Sequence, residues 1–441
     1  MIVATNTKEV SPGLLKVMEI ARRKPGERIF SLAHHLTSEA LTTAYHGLRK
    51  GAAIGVDGVT VAGYGENLEA NIGSLYERLK GGKYRHQPIR RVHIPKDGGK
   101  TRPLGISATE DKIVQRALTT VLEAVYEQDF KDFSYGFRPG RKAHDALKAI
   151  NRMIDGEGMR VIVEADIKGY FDNINRSHLM TMLRSRIADE KLLHLVGKCL
   201  HVGVLEGEEY SEPEEGTAQG SIISPLLGNV YLHHVLDEWW EKEVLPRMKG
   251  KAHLVRYADD FVMGFEQEED AARVMKVLHQ RFARYGLELH PEKTRQVTFR
   301  PPTEGGTEHG ESKTFDFLGF THYWKRTRYG KWRPWVKTRK AKLRKAIKAI
   351  ADYCKRHRHE PVKEQRASLK SRIQGHFNYF GVNGNSKALE QLYLETKKVW
   401  FKWLNRRSQR SSLTWPQFLS KLKALPLPRP RIKVQLWATQ L

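Results

Sequence analysis

Along the chain, apolar residues recur first with helical and then with strand spacing. Leu41, Tyr45 and Leu48 share one helical face behind a Ser38 cap, and the chain then breaks at the glycine-rich stretch 51–60. From 86 to 106, HQPIRRVHIPKDGGKTRPLGI alternates apolar and polar positions on both sides of Lys96-Asp97-Gly98-Gly99, the pattern of a β-hairpin. Residues 111–150 read as helices interrupted by SYGFRPGR, and 176–200 as one further helix. Two apolar runs carry acid at a strand end: VIVEADIKGYF (161–171), and HLVRYADDFVMGF (253–265), which is two β-rich stretches joined across Ala258-Asp259-Asp260. Between them, GTAQGSIISPLLGNVYLHHVLDEWW opens with turn glycines and continues as an apolar helix. After KTFDFLGF (313–320), the aromatic and basic stretch 321–340 reads as a linker. Three basic amphipathic helices follow, with stripes Leu343/Ile347/Ile350, Leu369/Ile373/Phe377 and Leu392/Val399/Trp403, and LPLPRPR (425–431) reads as an extended polyproline segment.

Charge changes this picture at one end of the chain. The formal net charge is +26, yet residues 321–441 hold 31 Lys and Arg against 5 Asp and Glu, so the excess lies in the last quarter. Cations that neutralise phosphates release condensed counterions, which makes such a segment the footprint of a nucleic-acid surface. It is not one amphipathic helix of the kind that lies on a membrane. Only Cys199 and Cys354 are cysteines, which excludes a disulfide framework and a Cys-rich structural zinc module, and points to a reducing, intracellular setting. No basic-then-apolar leader and no apolar run of about 18 residues occurs, so a soluble protein without a membrane partner is expected. With 441 residues at 40% apolar, the composition suits two or three globular domains.

The acids at the strand ends suggest a chemistry. Joining a 3′-hydroxyl to the α-phosphate of a nucleotide is served by two hard cations about 4 Å apart, one activating the attacking oxygen and one stabilising the leaving group. Magnesium takes oxygen ligands. Asp259 and Asp260 on a hairpin, with Asp166 on a neighbouring strand, are able to bring three carboxylates to one point. An isolated Asp-Asp pair is more often an exposed turn or a cap, so the carboxylates alone leave the chemistry open.

The surroundings are more specific. Tyr257-Ala258-Asp259-Asp260 is the Tyr-x-Asp-Asp box of reverse transcriptases, and EADIKGYFDNI, GTAQGSIISPLLGNVYL, GLELHPEKT and FDFLGF resemble that family's further motifs in its order and spacing. Together with RRVHIPK, TRPLGI, DKIVQRAL and SYGFRPGR they resemble the bacterial group II intron reverse transcriptase/maturase family across residues 26–435. The resemblance implies an α+β right-hand polymerase, with fingers, a palm on an antiparallel sheet and a helical thumb. It divides the chain into an N-terminal extension and start of fingers (1–85), fingers and palm (86–325), thumb/maturase domain (326–410) and a short basic nucleic-acid-binding tail (411–441).

It also implies roles. Asp166, Asp259 and Asp260 are the catalytic ligands of two Mg2+ ions, for which Mn2+ substitutes. Lys96 and Arg102 grip the triphosphate, Phe171 stacks under the deoxyribose where a 2′-hydroxyl would collide, Gln219 and Gly220 support the nascent pair, and Lys293 is a candidate proton donor. Arg90, Arg91, Gly220, Lys340, Arg344, Lys348, Arg406 and Arg407 are expected on the template or RNA. Trp400 and Trp403 are expected in the core. The chain departs from many relatives at Ser107 and Ala218, where they carry proline, without losing a ligand. The expected function is RNA-directed DNA synthesis coupled to intron splicing and mobility, with intron RNA, RNA template, DNA primer or target and dNTPs as partners, in a bacterial cytoplasm and at the nucleoid. The rivals are a non-catalytic RNA-binding maturase and a retron or CRISPR-associated reverse transcriptase; the intact carboxylates oppose the first, and the maturase-like C-terminus the second.

Overall fold

A computed structural model describes residues 11–95, 101–207, 209–211, 215–217, 220–302, 313–408 and 412–437. The N-terminal helices are set by local caps. Ser11 accepts from the Leu14 N–H and Pro12 occupies the first turn of α1 (Pro12–Arg23). Thr37, one residue before the expected Ser38, caps α2 (Ser38–His46). After α3 (Val61–Gly65) and α4 (Leu68–Lys80), the expected hairpin forms from β1 (Ile89–Pro95) and β2 (Thr101–Ile106), paired antiparallel. Its tip, with Lys96, lies outside the described residues.

Next come α5 (Thr109–Tyr126), α6 (Ala143–Asn151) and β3 (Val161–Asp166). The stretch read as one helix over 176–200 is two, α7 (Arg176–Arg186) and α8 (Glu190–Leu200). Ile187 turns extended to pair with Ile29, and Asp189 then starts a new helix by accepting from the Leu192 N–H. The same carboxylate accepts from the Leu32 and Ala33 N–H groups at 2.6 and 2.7 Å. The break therefore anchors the N-terminal segment.

β4 (Val204–Glu206) and β5 (Glu209–Ser211) complete a fingers sheet in the order β2-β1-β4-β5. α9 (Ser224–Leu232) continues in π-helical turns, His233–Asp237 and Trp240–Val244. β6 (Ala252–Tyr257), β7 (Asp260–Phe265), α10 (Glu268–Ala283) and β8 (Arg295–Thr298) follow, and the palm sheet is antiparallel in the order β6-β7-β3-β8.

Residues 321–340 are not a linker. β9 (Phe315–Phe317), β10 (Phe320–Arg326) and β11 (Trp332–Thr338) form a third antiparallel sheet, in which His322, Trp324, Val336 and Thr338 alternate inward. The expected boundary between 325 and 326 falls inside β10. The three basic helices are α11 (Lys340–Arg356), α12 (Val362–Phe380) and α13 (Ser386–Leu404). A further helix, α14 (Trp415–Ala424), lies within the expected tail, opened by a Thr414/Gln417 capping box. The chain then runs back over the thumb, pairing Val434 with Val382 and burying Leu427 and Leu436.

The palm sheet divides two cores. Val161, Val163 and Ala165 with Phe261, Met263 and Phe265 face the fingers-side core, whereas Ile162, Val255 and Val262 join the thumb-side core with Phe320, Leu369 and Trp400. This is the α+β right-hand arrangement expected. Among the described residues, no helix is long and apolar enough to cross a membrane.

Candidate active site

The ladder of the palm sheet sets Asp166, the last residue of β3, opposite Asp260, the first of β7. Residues directly opposite on antiparallel strands point to one face. Tyr257 pairs with Asp260 across β6 and β7, so Ala258 and Asp259 form a two-residue turn. Ala258 is left-handed at φ +56, a conformation that an alanine holds only when its surroundings impose it.

Those surroundings are polar and buried. The Arg256 guanidinium donates to the Ala258 carbonyl at 3.2 Å, to Asn229 Oδ1 at 2.9 Å and to both oxygens of Asp237. Asn229 Nδ2 donates to the Gly136 carbonyl at 2.7 Å, and a Cβ on Gly136 would stand 2.2 Å from the Ala258 nitrogen. Only glycine permits that approach. The Tyr135 N–H donates to the Arg256 carbonyl, and the Arg256 N–H to that of Phe133, which fastens SYGFRPGR beside the Ala258-Asp259 turn. Arg256, Asp237, Asn229 and Gly136 received no role from the sequence. The signal that could have found the first two is a lone arginine in an apolar strand and an acid at the end of the apolar helical run 224–237, because buried charges come in pairs.

Burial pushes the Asp259 carboxyl up, and Asp166 adds to this, while Arg102 and Lys293 oppose it. Burial, followed by Asp259 and Asp166, pushes Asp260 up to about 7, opposed by Lys293 and by Lys342 at the root of the thumb. Lys293 Nζ lies 2.6 Å from Asp166 Oδ2. The loop after α10 brings it there, because the His290 N–H donates to the Asp166 carbonyl and Ile167 pairs with Leu289.

As the side chains stand, no three His, Cys, Asp or Glu groups among the described residues close around one point. Asp166 meets the Lys293 ammonium and acts electrostatically on the other two carboxylates. The donor set is nevertheless all carboxylate oxygen, mutually repelling and partly neutralised by three cations. Such oxygens suit a hard divalent ion.

Phe171 is 8% exposed, and its ring lies within reach of Gly228, where a Cβ would stand 3.1 Å from Phe171 Cε1. Its carbonyl accepts from the Thr217 N–H at 2.7 Å, tying it to the loop that leads to Gly220. Gln219 lies outside the described residues. Gly220 has φ +109, and a Cβ there would stand 2.6 Å from the Gly105 carbonyl of β2, so this loop lies against the fingers hairpin. Gln115, also unassigned from sequence, fixes the contact. Its Oε1 accepts from Ser221 Oγ and the Ile222 N–H, and its Nε2 donates to Ser107 Oγ at 3.2 Å. Ser107 thus has a partner that a proline at that position would not supply.

The expected RNA contacts separate. Arg90 donates to the Ile54 carbonyl at 2.6 Å, inside the fingers, and Arg91 lies 3.7 Å from Glu206. Lys340, Arg344 and Lys348 stand exposed along α11. Arg406 is exposed, its guanidinium 5.4 Å from the Trp403 ring centre, whereas Arg407 donates to the His359 and Glu360 carbonyls. Trp400 is a core residue, as expected, donating to Gln365 Oε1 at 3.0 Å; Trp403 is half-buried.

Comparison with known proteins adds a second line. A family model described as reverse transcriptase (RNA-dependent DNA polymerase) matches residues 94–322. Protein YkfC of Escherichia coli K12 is 34% identical over 312 residues, 63% of this chain and 78% of that one. The group II intron-encoded protein LtrA of Lactococcus lactis is 45% identical over 168 residues, 38% of this chain and 28% of LtrA. Nuclear intron maturase 2, mitochondrial, of Arabidopsis thaliana is 33% identical over 175 residues, 31% of this chain and 23% of that one. The matches thus span less than a third of LtrA and of the plant maturase.

Proposed function

Because this chain belongs to the group II intron reverse transcriptase/maturase family, we propose that it extends a DNA primer on an RNA template and assists the splicing and mobility of an intron RNA. The observation that carries the catalytic half is the register that sets Asp166 opposite Asp260 beside the strained Ala258-Asp259 turn. Asp166, Asp259 and Asp260 would hold two magnesium ions, replaceable by manganese, which supply activation of the 3′-hydroxyl and stabilisation of the leaving pyrophosphate.

The chain's own groups do the rest. Arg102 and Lys96 bind the triphosphate from the fingers, and Lys293, whose ammonium stands 2.6 Å from Asp166 Oδ2, delivers a proton to the departing pyrophosphate. Phe171 excludes a 2′-hydroxyl, while Gln219 and Gly220 seat the templating pair. Exposed cations of α11 and Arg406 meet RNA phosphates, and rings interleaved with them stack on unpaired bases.

The test is Asp259→Asn, which removes a ligand charge at nearly constant volume. Primer extension on an RNA template should fall by at least about a thousandfold, roughly 4 kcal/mol of transition-state stabilisation. Intron binding and assisted splicing should stay near wild type. Normal extension by the variant would overturn the catalytic assignment; a wild type that extends no primer yet supports splicing would leave a non-catalytic maturase.

A further inference from the structure

We propose that the outward face of β10 and β11 is a platform on which unpaired bases of the intron RNA stack, at a place separate from the polymerase cleft. The proposal rests on the RNA-binding half of the proposed function and not on catalysis.

The hairpin has two unlike faces. Inward, His322, Trp324, Val336 and Thr338 are buried toward the thumb-side core, over the palm face that carries Ile162. Outward, Tyr323 stands directly opposite Trp335, and Lys325 opposite Arg333. Lys325 Nζ lies 4.5 Å from the Trp335 ring centre and Lys337 Nζ 4.8 Å from that of Tyr323, so rings and cations alternate along the face. Trp437 extends the row, 5.5 Å from Trp335 between ring centres. At the hairpin tip Tyr329 is 68% exposed, with the Arg328 guanidinium over it.

The inner face accounts for Phe320 and Trp324. It also accounts for Trp332, but gives no reason for Tyr323, Tyr329 and Trp335 to stand partly or mostly in solvent, and exposed aromatic surface of this kind marks an interaction site. Residues 320–339 contain seven Lys and Arg and no Asp or Glu. That charge selects a polyanion, and flat rings between cations select one with unpaired bases, since a duplex hides its base faces. Folded RNA offers such bases in loops and bulges.

Position separates this surface from the cleft. The Arg160 guanidinium lies 5.5 Å from the Trp324 ring centre, and Arg333 is 4.0 Å from Asp155. Both partners precede β3, whose far end is Asp166. At about 3.3 Å per residue, the six residues of β3 set the Trp324–Arg333 end of the hairpin roughly 20 Å from the carboxylates, while its Phe320–Thr338 end leads to Lys342 and Asp260. The platform therefore lies toward the end of the hairpin away from the carboxylates, which a primer and template in the cleft leave open.

The experiment loads the full chain with a chain-terminated DNA primer on an RNA template, and then titrates a short labelled oligouridylate. A second, saturable binding event is expected. Tyr323→Ser combined with Tyr329→Ala should weaken it about tenfold to a hundredfold, as expected for one or two lost stacks. Tyr323→Phe keeps the ring and should bind as wild type. Primer extension should be unchanged in both, which also reports that they fold. Absence of the second event, or equal binding by the double variant, would overturn the proposal, as would equal competition by an RNA duplex of the same length. Wild type that binds oligouridylate but extends no primer would remove the polymerase reading alone.

Discussion

Arg256 and Asp237 meet through two hydrogen bonds, Nε to Oδ1 at 2.8 Å and Nη2 to Oδ2 at 2.5 Å, and neither side chain is exposed at all. The pair joins the strand before the Ala258-Asp259 turn to a π-helical turn behind the palm. Breaking a buried pair from one side leaves a charge in the core, at about 3–5 kcal/mol. Asp237→Leu should therefore lower Tm sharply. Adding Arg256→Met should restore much of that stability, because an apolar pair of similar volume replaces the ions. Activity should not return with it, since the Ala258 carbonyl and Asn229 Oδ1 still lack their donor. The check is Tm and primer-extension kcat on the single and double variants. Recovery of both together would mean that the pair only stabilises.

Sugar discrimination should depend on Phe171. Its ring is wedged toward Gly228 and its carbonyl is fixed by Thr217, so it cannot swing aside. Phe171→Val or Phe171→Ala should raise the ratio of ribonucleotide to deoxyribonucleotide kcat/KM severalfold to a few hundredfold, about 1–3 kcal/mol. An unchanged ratio in a folded, active variant would remove Phe171 from that role.

RNA affinity should fall steeply with salt. With about six phosphate contacts, the logarithm of the binding constant should drop with a slope of roughly −4 to −6 against log salt. Reversing the charges of Lys340, Arg344 and Lys348, all exposed on one thumb helix, should flatten that slope. The same slope in the triple variant would place the binding surface elsewhere.

Acid should weaken the thumb side of the palm. His322 is buried in β10 and stacked on Phe315 at 4.4 Å, with no hydrogen-bond partner for Nε2 among the described residues, and burial lowers its pKa from 6.5 to about 3. Between those values the unfolded chain binds the proton and the folded one does not, so stability falls as pH drops through that window and the loss is complete near 3. By pH 5 this amounts to about 2 kcal/mol. His322→Phe keeps a ring against Phe315, and its Tm should decline less than wild type between pH 7 and 5. Parallel declines would show that other groups carry the acid sensitivity.

The carboxylates were legible in the sequence because two β-rich runs place acid at their ends, and a period of two determines what shares a face. The hairpin of 320–338 was not legible. Its buried face includes a histidine and a tryptophan, and its exposed face two more large rings, so polarity does not alternate although burial does. The division of 176–200 was hidden by apolar spacing that continues through both helices; Asp189 ends the run only by reaching Leu32 and Ala33, far away in sequence. Arg256 and Asp237 could be suspected singly, but their pairing is a tertiary fact. Arg407, read as an RNA contact, has found carbonyls within its own bundle.

The palm sheet shares its strands between two cores, and this constrains how the molecule can fail. If β3 slipped by one residue, Val161, Val163 and Ala165 would exchange faces with Ile162, and both cores would be disrupted at once. The same slip would carry Asp166 away from Asp260. A chain with a misplaced Asp166 is thus a chain that has not folded, and compact molecules with a scrambled centre should be rare. In a preparation of this protein, the fraction able to react and the fraction that is folded should be one number.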